Sequence, residues 1–469
     1  MSAGLAASYD VAVIGAGPAG LAAATTCANA GCATVLFDEG AMPGGQIYRS
    51  IEDTPLRERS VLGESYWRGR TLVDSFRASG ARYIAGATVW SLTRDREIGV
   101  SFDGGSALTY AKRVILCTGA LERPFPIPGW TLPGVMTVGA AQTLLKSSGL
   151  VASGKTTLAG CGPLLWLLAA QYLRAHAKLE AILDTTAREN RAHALPHALP
   201  FLFSSYVADG IALMREVKRQ VRVISGVTSL RALGDRKVSA VAYRTGGEEK
   251  TLEVDNLFLH QGLIPNVNLA MAAGIAHRWD EAQLCWVPEL DRDGNSNLEG
   301  VAIAGDGAGI AGGEAARWRG VLAGVAAVRA IGGNVASGDE QRARKELART
   351  LRGRGFLDAL YRPARNFRIP EGDTIVCRCE EVTAHEISAT VALGCPGPNQ
   401  MKAFLRCGMG PCQGRLCGVT VTELIAAARG VSPREIGYYR LRPPVKPITV
   451  AELAALPKSE AAIKAVIRS

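Results

Sequence analysis

Residues 13–20 read Val-Ile-Gly-Ala-Gly-Pro-Ala-Gly, and this stretch decides the fold of the N-terminal half. A β-rich run precedes it and an Ala/Leu-rich helical stretch follows. In such a strand–GxGxxG–helix pattern the first glycine makes a tight turn, the second lets the backbone approach a pyrophosphate, and the third lets the helix pack on the strand. The pattern predicts an α/β fold with a bound dinucleotide. The residues that it assigns to this site are Gly15, Gly17, Pro18, Ala19 and Gly20.

The next strand, predicted over Ala33 to Phe37, ends in two acidic residues. An acid at this place bonds the ribose hydroxyls of a bound dinucleotide. We expect Glu39 to do so rather than Asp38, because its distance from the glycine pair at 44–45 suits the usual flavoprotein pattern. The residues assigned from this segment are Asp38, Glu39, Gly45 and Gln46.

Two later segments indicate that the dinucleotide is FAD. Val114 to Ala120 (VILCTGA) and Val301 to Gly307 (VAIAGDG) are apolar strands that end in polar turns. The aspartate of the second turn would meet the ribityl hydroxyls, and the next helix N-terminus would face the pyrophosphate or the isoalloxazine edge. These turns contribute Thr118, Gly119, Gly305 and Asp306. The FAD-binding domain is therefore predicted to be split, over residues 1–130 and 290–340.

The residues between the two halves, 131–289, predict a second nucleotide domain. Lys155 to Asp184 repeats the strand–glycine–helix–strand pattern, but the third glycine position holds Leu165. This substitution weakens close helix packing. One interpretation is a site for NAD or an adenine nucleotide that uses Gly160, Gly162 and Asp184; the other is a degenerate domain kept for architecture.

From Tyr9 to about Gly332 the chain resembles the thioredoxin- and glutathione-reductase-like flavoproteins, which carry two dinucleotide-binding domains. Thioredoxin reductases place a redox-active CxxC just before the second glycine motif. The equivalent stretch here, Pro133 to Gln142, contains no cysteine. Dithiol reduction is excluded because its chemistry requires the thiols.

Six of the eleven cysteines fall between residues 377 and 417, and this density indicates a metal site. Two close pairs of thiolates can bind zinc or a [2Fe–2S] cluster. The surrounding sequence, over residues 371–430, resembles the bacterioferritin-associated-ferredoxin-like [2Fe–2S] domain, although the later pair is C-x4-C where the smallest members have C-x2-C. Cys407 is close enough to be a substitute ligand. The four predicted ligands are Cys377, Cys379, Cys412 and Cys417.

Positive charge is concentrated between the nucleotide domains and the cysteines. The net charge of the 469-residue chain is +10, and residues 341–368 contain nine Lys or Arg and two acids. We interpret residues 341–370 as a basic linker or as a docking surface for a partner subunit or a cofactor phosphate. No nucleic-acid recognition fold accompanies it. The N-terminal residues have no signal-peptide pattern, which predicts a cytoplasmic protein, with membrane association through an electron acceptor left open.

Five segments carry a closer resemblance: PGGQIYRSIE, GVMTVGAAQTLLK, CRCEEVT, GMGPCQGRLC and, in the C-terminal tail of residues 431–469, RPPVKPIT. Together they resemble the FAD-containing α (A) subunits of heteromeric dye-linked dehydrogenases. That family includes octopine and nopaline oxidases, D-hydroxyproline dehydrogenase and heteromeric L-proline dehydrogenase; sarcosine oxidase α subunits and cyanide synthase are more distant.

The resemblance implies a relay role. An amino-acid-oxidase-like β subunit would oxidise an opine or cyclic imino acid at its own FAD, with FMN at the subunit interface, and a small third subunit would be a further partner. The α subunit would pass the electrons to a quinone or dye. No general-base constellation for amine oxidation stands out in this chain. Two alternatives are a self-sufficient NAD(P)H-dependent reductase and a non-enzymatic scaffold.

Overall fold

The computed structural model describes residues 5–204 and 206–456, and the first glycine motif lies in a mainly parallel sheet. The first elements are β1 (Ser8–Ile14), α1 (Pro18–Asn29), β2 (Thr34–Phe37), α2 (Arg59–Leu62), α3 (Glu64–Trp67), α4 (Gly69–Ala78), β3 (Arg82–Ile84), β4 (Thr88–Leu92), β5 (Glu97–Phe102), β6 (Gly105–Leu116) and β7 (Ala120–Glu122). The strand order is β3-β2-β1-β6-β5-β4. Parallel pairing of β1 with both β2 and β6 places the first glycine turn at the carboxyl ends of the strands, where doubly wound sheets bind ligands.

The inserted residues form a second unit. Its elements are β8 (Val135–Thr137), α5 (Val138–Ser148), β9 (Thr156–Cys161), α6 (Pro163–Arg174), β10 (Leu179–Asp184), α7 (Asn190–Ala194), α8 (Ala198–Leu202), α9 (Tyr206–Lys218), β11 (Arg222–Ser225), β12 (Val227–Gly234), β13 (Val238–Thr245), β14 (Glu248–Glu253), β15 (Asn256–Gln261) and β16 (Leu263–Pro265). A parallel sheet of order β11-β10-β9-β15-β8 lies beside an antiparallel sheet of order β12-β13-β14. A short 3-10 turn, Leu195–His197, interrupts the helical excursion between α7 and α8.

The chain then returns to the first sheet. The elements of this return are α10 (Asn268–Ala273), β17 (His277–Asp280), β18 (Cys285–Pro288), β19 (Val301–Ile303) and α11 (Gly313–Ala330), and β19 pairs in parallel with β6. Helices α1 and α11 pack closely because Gly320 faces the backbone of Ala19, where a Cβ would overlap the Ala19 carbonyl oxygen. The split organisation predicted for the first domain agrees with this pairing, while its exact boundaries stay a prediction.

The basic segment that follows is helical and ends at a small cysteine-rich unit. The elements are α12 (Ser337–Leu351), α13 (Arg354–Leu360), α14 (Arg365–Arg368), β20 (Ile375–Cys377), β21 (Val382–Thr383), α15 (Ala384–Ala392), α16 (Pro398–Leu405), α17 (Gly418–Arg429), α18 (Pro433–Ile436) and α19 (Val450–Ala454). The core of the cysteine-rich unit is formed by buried residues from β20 onward, including Ile387, Met401 and Ile425. Among the described residues, no helix combines the length and apolar character needed to cross a membrane.

Candidate functional site: two nucleotide motifs and a thiol cluster

A cavity of about 1580 Å³ lies where the two nucleotide-binding units meet. It is lined by nearly all of the residues predicted for the first site: Gly15, Gly17, Pro18, Ala19, Asp38, Glu39, Gly45, Gln46, Thr118, Gly119, Gly305 and Asp306. Gly20 is absent from this lining because it packs under the helix. Of the residues predicted for the second site, only Gly162 reaches the cavity.

The three glycines of the first motif have different surroundings. A Cβ on Gly20 would overlap the Gly15 carbonyl oxygen, so the helix can approach the strand only with glycine there. A Cβ on Gly17 would meet no atom closer than the Gly45 Cα at 4.0 Å. The space at Gly17 is open toward the cavity, as a pyrophosphate lying against the backbone requires.

The two acids after β2 have separate roles in the structure. Asp38 accepts hydrogen bonds from the backbone N–H of Ala16 (2.5 Å) and of Gly40 (2.7 Å), so both of its oxygens hold the loop. Burial raises its pKa. Glu39 makes no such loop contacts and instead pairs with Lys446, whose Nζ lies 2.8 Å from Oε1. The carboxylate available to a ribose is therefore that of Glu39, and assignment to the ribose stays a prediction.

The C-terminal segment closes one wall of the same site. Lys446 and Val445 both line the cavity, and the backbone N–H of Val445 donates to the Trp90 carbonyl at 2.9 Å. Arg415 donates to the Val445 carbonyl, also at 2.9 Å. The sequence analysis missed this wall, since no local pattern links residue 446 to residue 39.

At the opposite turn, Asp306 is held in place by the start of α11. Its Oδ1 accepts hydrogen bonds from the backbone N–H of Ala311 (2.8 Å) and of Gly312 (2.9 Å). Its Oδ2 makes no hydrogen bond to a described residue, and the side chain borders the cavity. One oxygen thus orients the carboxylate and the other is free to accept a ligand hydroxyl.

A buried lysine joins the second unit to the loop that carries Gln46. Lys146 Nζ donates to the carbonyls of Gln46 (3.1 Å) and Ile47 (2.9 Å) and to Gln142 Oε1 (2.9 Å). Burial, together with the Arg49 guanidinium, lowers the pKa of Lys146 to about 7. Lys146 therefore braces a loop of the first site from helix α5 of the second unit.

The second glycine motif faces a histidine rather than open space. A Cβ on Gly162 would lie 3.3 Å from His260 Nε2. His260 Nδ1 lies 2.7 Å from Glu122 Oε1, and Glu122 Oε2 accepts from the Gly139 backbone N–H at 2.8 Å. Leu165, in the place of the third glycine, is fully buried in the core.

The far end of the second motif is covered by the chain itself. The Tyr361 carbonyl lies 3.5 Å from Cys161 Sγ, and Asn190 Nδ2 donates to the carbonyls on either side of that tyrosine, Leu360 (3.0 Å) and Arg362 (2.8 Å). Desolvation of the hydroxyl, with the neighbouring charge of Asp184, raises the pKa of Tyr361 to about 12. Tyr361 thus occupies the region beside Asp184 where an adenosine ribose would lie.

Three buried thiols come together in the cysteine-rich unit. The Sγ atoms of Cys377, Cys407 and Cys417 all lie within 4.8 Å of one another. Hydrogen bonds from the other two thiols, with help from the Gly408 backbone, lower the pKa of Cys377 to about 2, while the pKa of Cys407 rises to about 12. Tyr439 donates its hydroxyl to Cys407 Sγ at 3.4 Å. A thiolate set of this kind suits soft metal centres.

The remaining predicted ligands form a neighbouring pair. Cys379 is exposed, hydrogen-bonds to Cys412 and packs tightly against Gly410, where a Cβ would clash. Cys395 is buried outside the cluster, with its Sγ 3.5 Å from the Gly397 carbonyl. The four-cysteine ligand set stays a prediction, and the geometry adds Cys407 as a fifth thiol that could ligate.

The fold and the site define a class, the flavoprotein-type oxidoreductases built on two dinucleotide-binding units. The pyridine nucleotide-disulphide oxidoreductase family matches residues 9–328, and the sarcosine oxidase A3 domain matches residues 371–456. Among solved structures, the chain is similar to L-proline dehydrogenase from P. horikoshii, with a TM-score of 0.71 and 19% identity over 95% of this chain and 79% of that one. At this identity the likeness supports the fold alone.

Curated relatives narrow the family. The chain is 46% identical to the A subunit of opine oxidase from Agrobacterium tumefaciens (strain Ach5), over 98% of this chain and 94% of the relative. It is 31% identical to the hydrogen cyanide synthase subunit HcnB from Pseudomonas aeruginosa, over 93% of this chain and 96% of the relative. The chain therefore belongs to the pyridine nucleotide-disulphide oxidoreductases and, within them, to the family of opine oxidase A subunits. This confirms the resemblance and the fold class expected from the sequence.

Proposed function

We propose that this oxidoreductase is the electron-relay subunit of a heteromeric dehydrogenase that oxidises a CH–NH bond of an opine or cyclic imino acid on an amino-acid-oxidase-like partner subunit. Support for the relay role in a complex comes from the opine oxidase relatives. Quinone or a dye would be the acceptor, and interface FMN belongs to the same proposal. The substrate among octopine, nopaline and D-hydroxyproline is not chosen by any residue described above.

The groups that this chain would hold fit its residues. FAD would lie along the open space at Gly17, with Glu39 at the ribose and Asp306 at the ribityl chain. A [2Fe–2S] cluster would take thiolates from the cysteine-rich unit. Together such groups allow a two-electron carrier to exchange single electrons.

One observation carries the relay proposal: a short series of hydrogen bonds joins the two predicted cofactor sites. Thr118 donates to the Asn266 carbonyl at 3.1 Å, and the Asn266 backbone N–H donates to the Gly119 carbonyl at 3.0 Å. Two residues on, Asn268 Nδ2 donates to the carbonyl of Gln413, in the cysteine loop, at 2.9 Å. The cysteine loop therefore packs directly on the segment that contacts the first nucleotide site.

The test removes one buried thiol and keeps another. Cys417→Ser should lose iron, labile sulfide and dye reduction by an amine in the assembled complex while retaining its flavin. Cys395→Ser, which changes a buried thiol outside the cluster, should keep all of these. Normal turnover of Cys417→Ser would contradict the relay role, and stoichiometric zinc in the wild type would contradict the iron–sulfur assignment.

The self-sufficient reductase receives less support from the structure than the relay. A nicotinamide nucleotide would need the second motif, whose ribose acid Asp184 lies beside Tyr361. Bleaching of the isolated chain's flavin by NADH would nevertheless favour that alternative.

A further inference from the structure

An exposed apolar patch lies on the helical excursion of the second unit. Four large apolar side chains there are between 62% and 72% exposed: Leu195, Leu199, Leu202 and Phe203. They lie on the 3-10 turn and on α8, and in the residue that follows α8. Such a concentration on a soluble chain marks a surface that another body covers.

The patch is rimmed by the basic segment. The ring of Phe201, within the patch sequence, stacks on Phe356 of α13 with centroids 4.1 Å apart. Tyr206 donates its hydroxyl to the Thr350 carbonyl at the end of α12, at 3.2 Å. These contacts place the exposed Arg352, between Thr350 and Phe356, next to the patch. The net charge of +7 in residues 341–368, from nine cations and two acids, therefore belongs to the same face.

The patch also borders the mouth of the large cavity. Phe201 and Leu202 line that cavity together with Phe356 and Leu357. An apolar molecule could therefore pass from the covering surface into the cavity along apolar side chains.

We infer that this patch docks the protein on an anionic lipid surface. Apolar side chains on short helices, with cations beside them, are the arrangement by which peripheral proteins insert at a membrane interface. Anionic headgroups attract the basic rim, and the apolar side chains enter the headgroup boundary. The inference goes beyond the proposed function and does not depend on it, although it would deliver a lipid-soluble acceptor to the cavity.

The experiment is vesicle flotation of the purified full chain, alone and co-purified with its partner subunits. Both forms should float with vesicles of phosphatidylcholine and phosphatidylglycerol, and less with phosphatidylcholine alone or at raised ionic strength. The double variant Leu199→Ser/Phe203→Ser should bind at least about tenfold more weakly, because two exposed side chains lose their burial in lipid. Arg352→Glu should weaken binding only to the anionic vesicles.

The matched control is Leu393→Ser, which changes a leucine that is 90% exposed on the cysteine-rich unit. It should float like the wild type. Equal flotation of the wild type and the double variant would overturn the inference. So would a complex that fails to float while the double variant impairs its assembly, since the patch would then be a subunit interface.

Discussion

The two glycine motifs of this chain have the same strand–turn–helix framework and opposite surroundings. At the first, Gly17 faces open space and the carboxylate of Glu39 borders the cavity. At the second, His260 faces Gly162, and Tyr361 lies beside the ribose acid. The contrast teaches that the framework alone does not make a nucleotide site. What decides is whether later parts of the chain fill the space at the carboxyl ends of the strands.

The largest expected effect comes from breaking the first motif. Gly20→Ala should lower the free energy of unfolding by about 3 kcal/mol or more, because the new Cβ overlaps the Gly15 carbonyl oxygen and the helix must shift. Thermal or denaturant unfolding, followed with flavin absorbance, measures this. Gly17→Ala is the matched control: it should fold normally but retain less flavin, because its Cβ points into open space. Equal stability of Gly20→Ala and the wild type would contradict the packing argument.

The brace between the two units should give a pH-dependent stability. Because the folded pKa of Lys146 is about 7 and the unfolded value is 10.5, the unfolded chain binds more protons between these pH values. Its contribution to stability therefore rises with pH across that window, by at most about 1.4 kcal/mol per pH unit. The difference in unfolding free energy between the wild type and Lys146→Met isolates it from the opposing titration of buried thiols.

An exposed lysine provides the control for that slope. The difference between the wild type and Lys345→Met should be independent of pH over the same range, because that side chain lies in solvent. If the Lys146→Met difference is equally flat, the buried ammonium does not titrate in this window.

The two ribose acids should respond differently to substitution. Glu39→Gln should raise the dissociation constant for FAD about tenfold, the size of one lost hydrogen bond to a charged group. Asp184→Asn should leave FAD retention unchanged, because that acid lies away from the cavity. Equilibrium dialysis of the deflavinated proteins measures both constants. Equal losses in the two variants would remove the distinction between the motifs.

The smallest expected effect is the opening of the second motif. Tyr361→Ala should create weak NADH binding where the wild type has none, since the ring no longer occupies the region beside Asp184. Nucleotide fluorescence titration detects it, and Tyr361→Phe, which keeps the ring, should behave like the wild type. NADH binding by the wild type would show that Tyr361 does not close this motif.

Most of the fold was predictable because glycine spacing, strand order and apolar runs are local signals. The first motif and the two return strands were placed correctly, and Leu165 marked the second motif as different. The Glu39–Lys446 ion pair could not be predicted, since it joins segments far apart in sequence. The cover over Asp184 was hidden in a segment interpreted as a linker, because charge density does not reveal which groove a helix enters. Local spacing also could not show that Cys407 lies closer to Cys377 and Cys417 than the exposed Cys379 does.

The Glu39–Lys446 pair also bears on the order of events during synthesis. A ribosome releases strand β2 long before residue 446 emerges, so the nucleotide cleft lacks one wall throughout most of translation. Stable capture of the cofactor by a nascent chain should therefore be a late step, completed only when the cysteine-rich unit has folded and brought Lys446 back to the first motif. Flavin retention would then report on the integrity of the C-terminal unit.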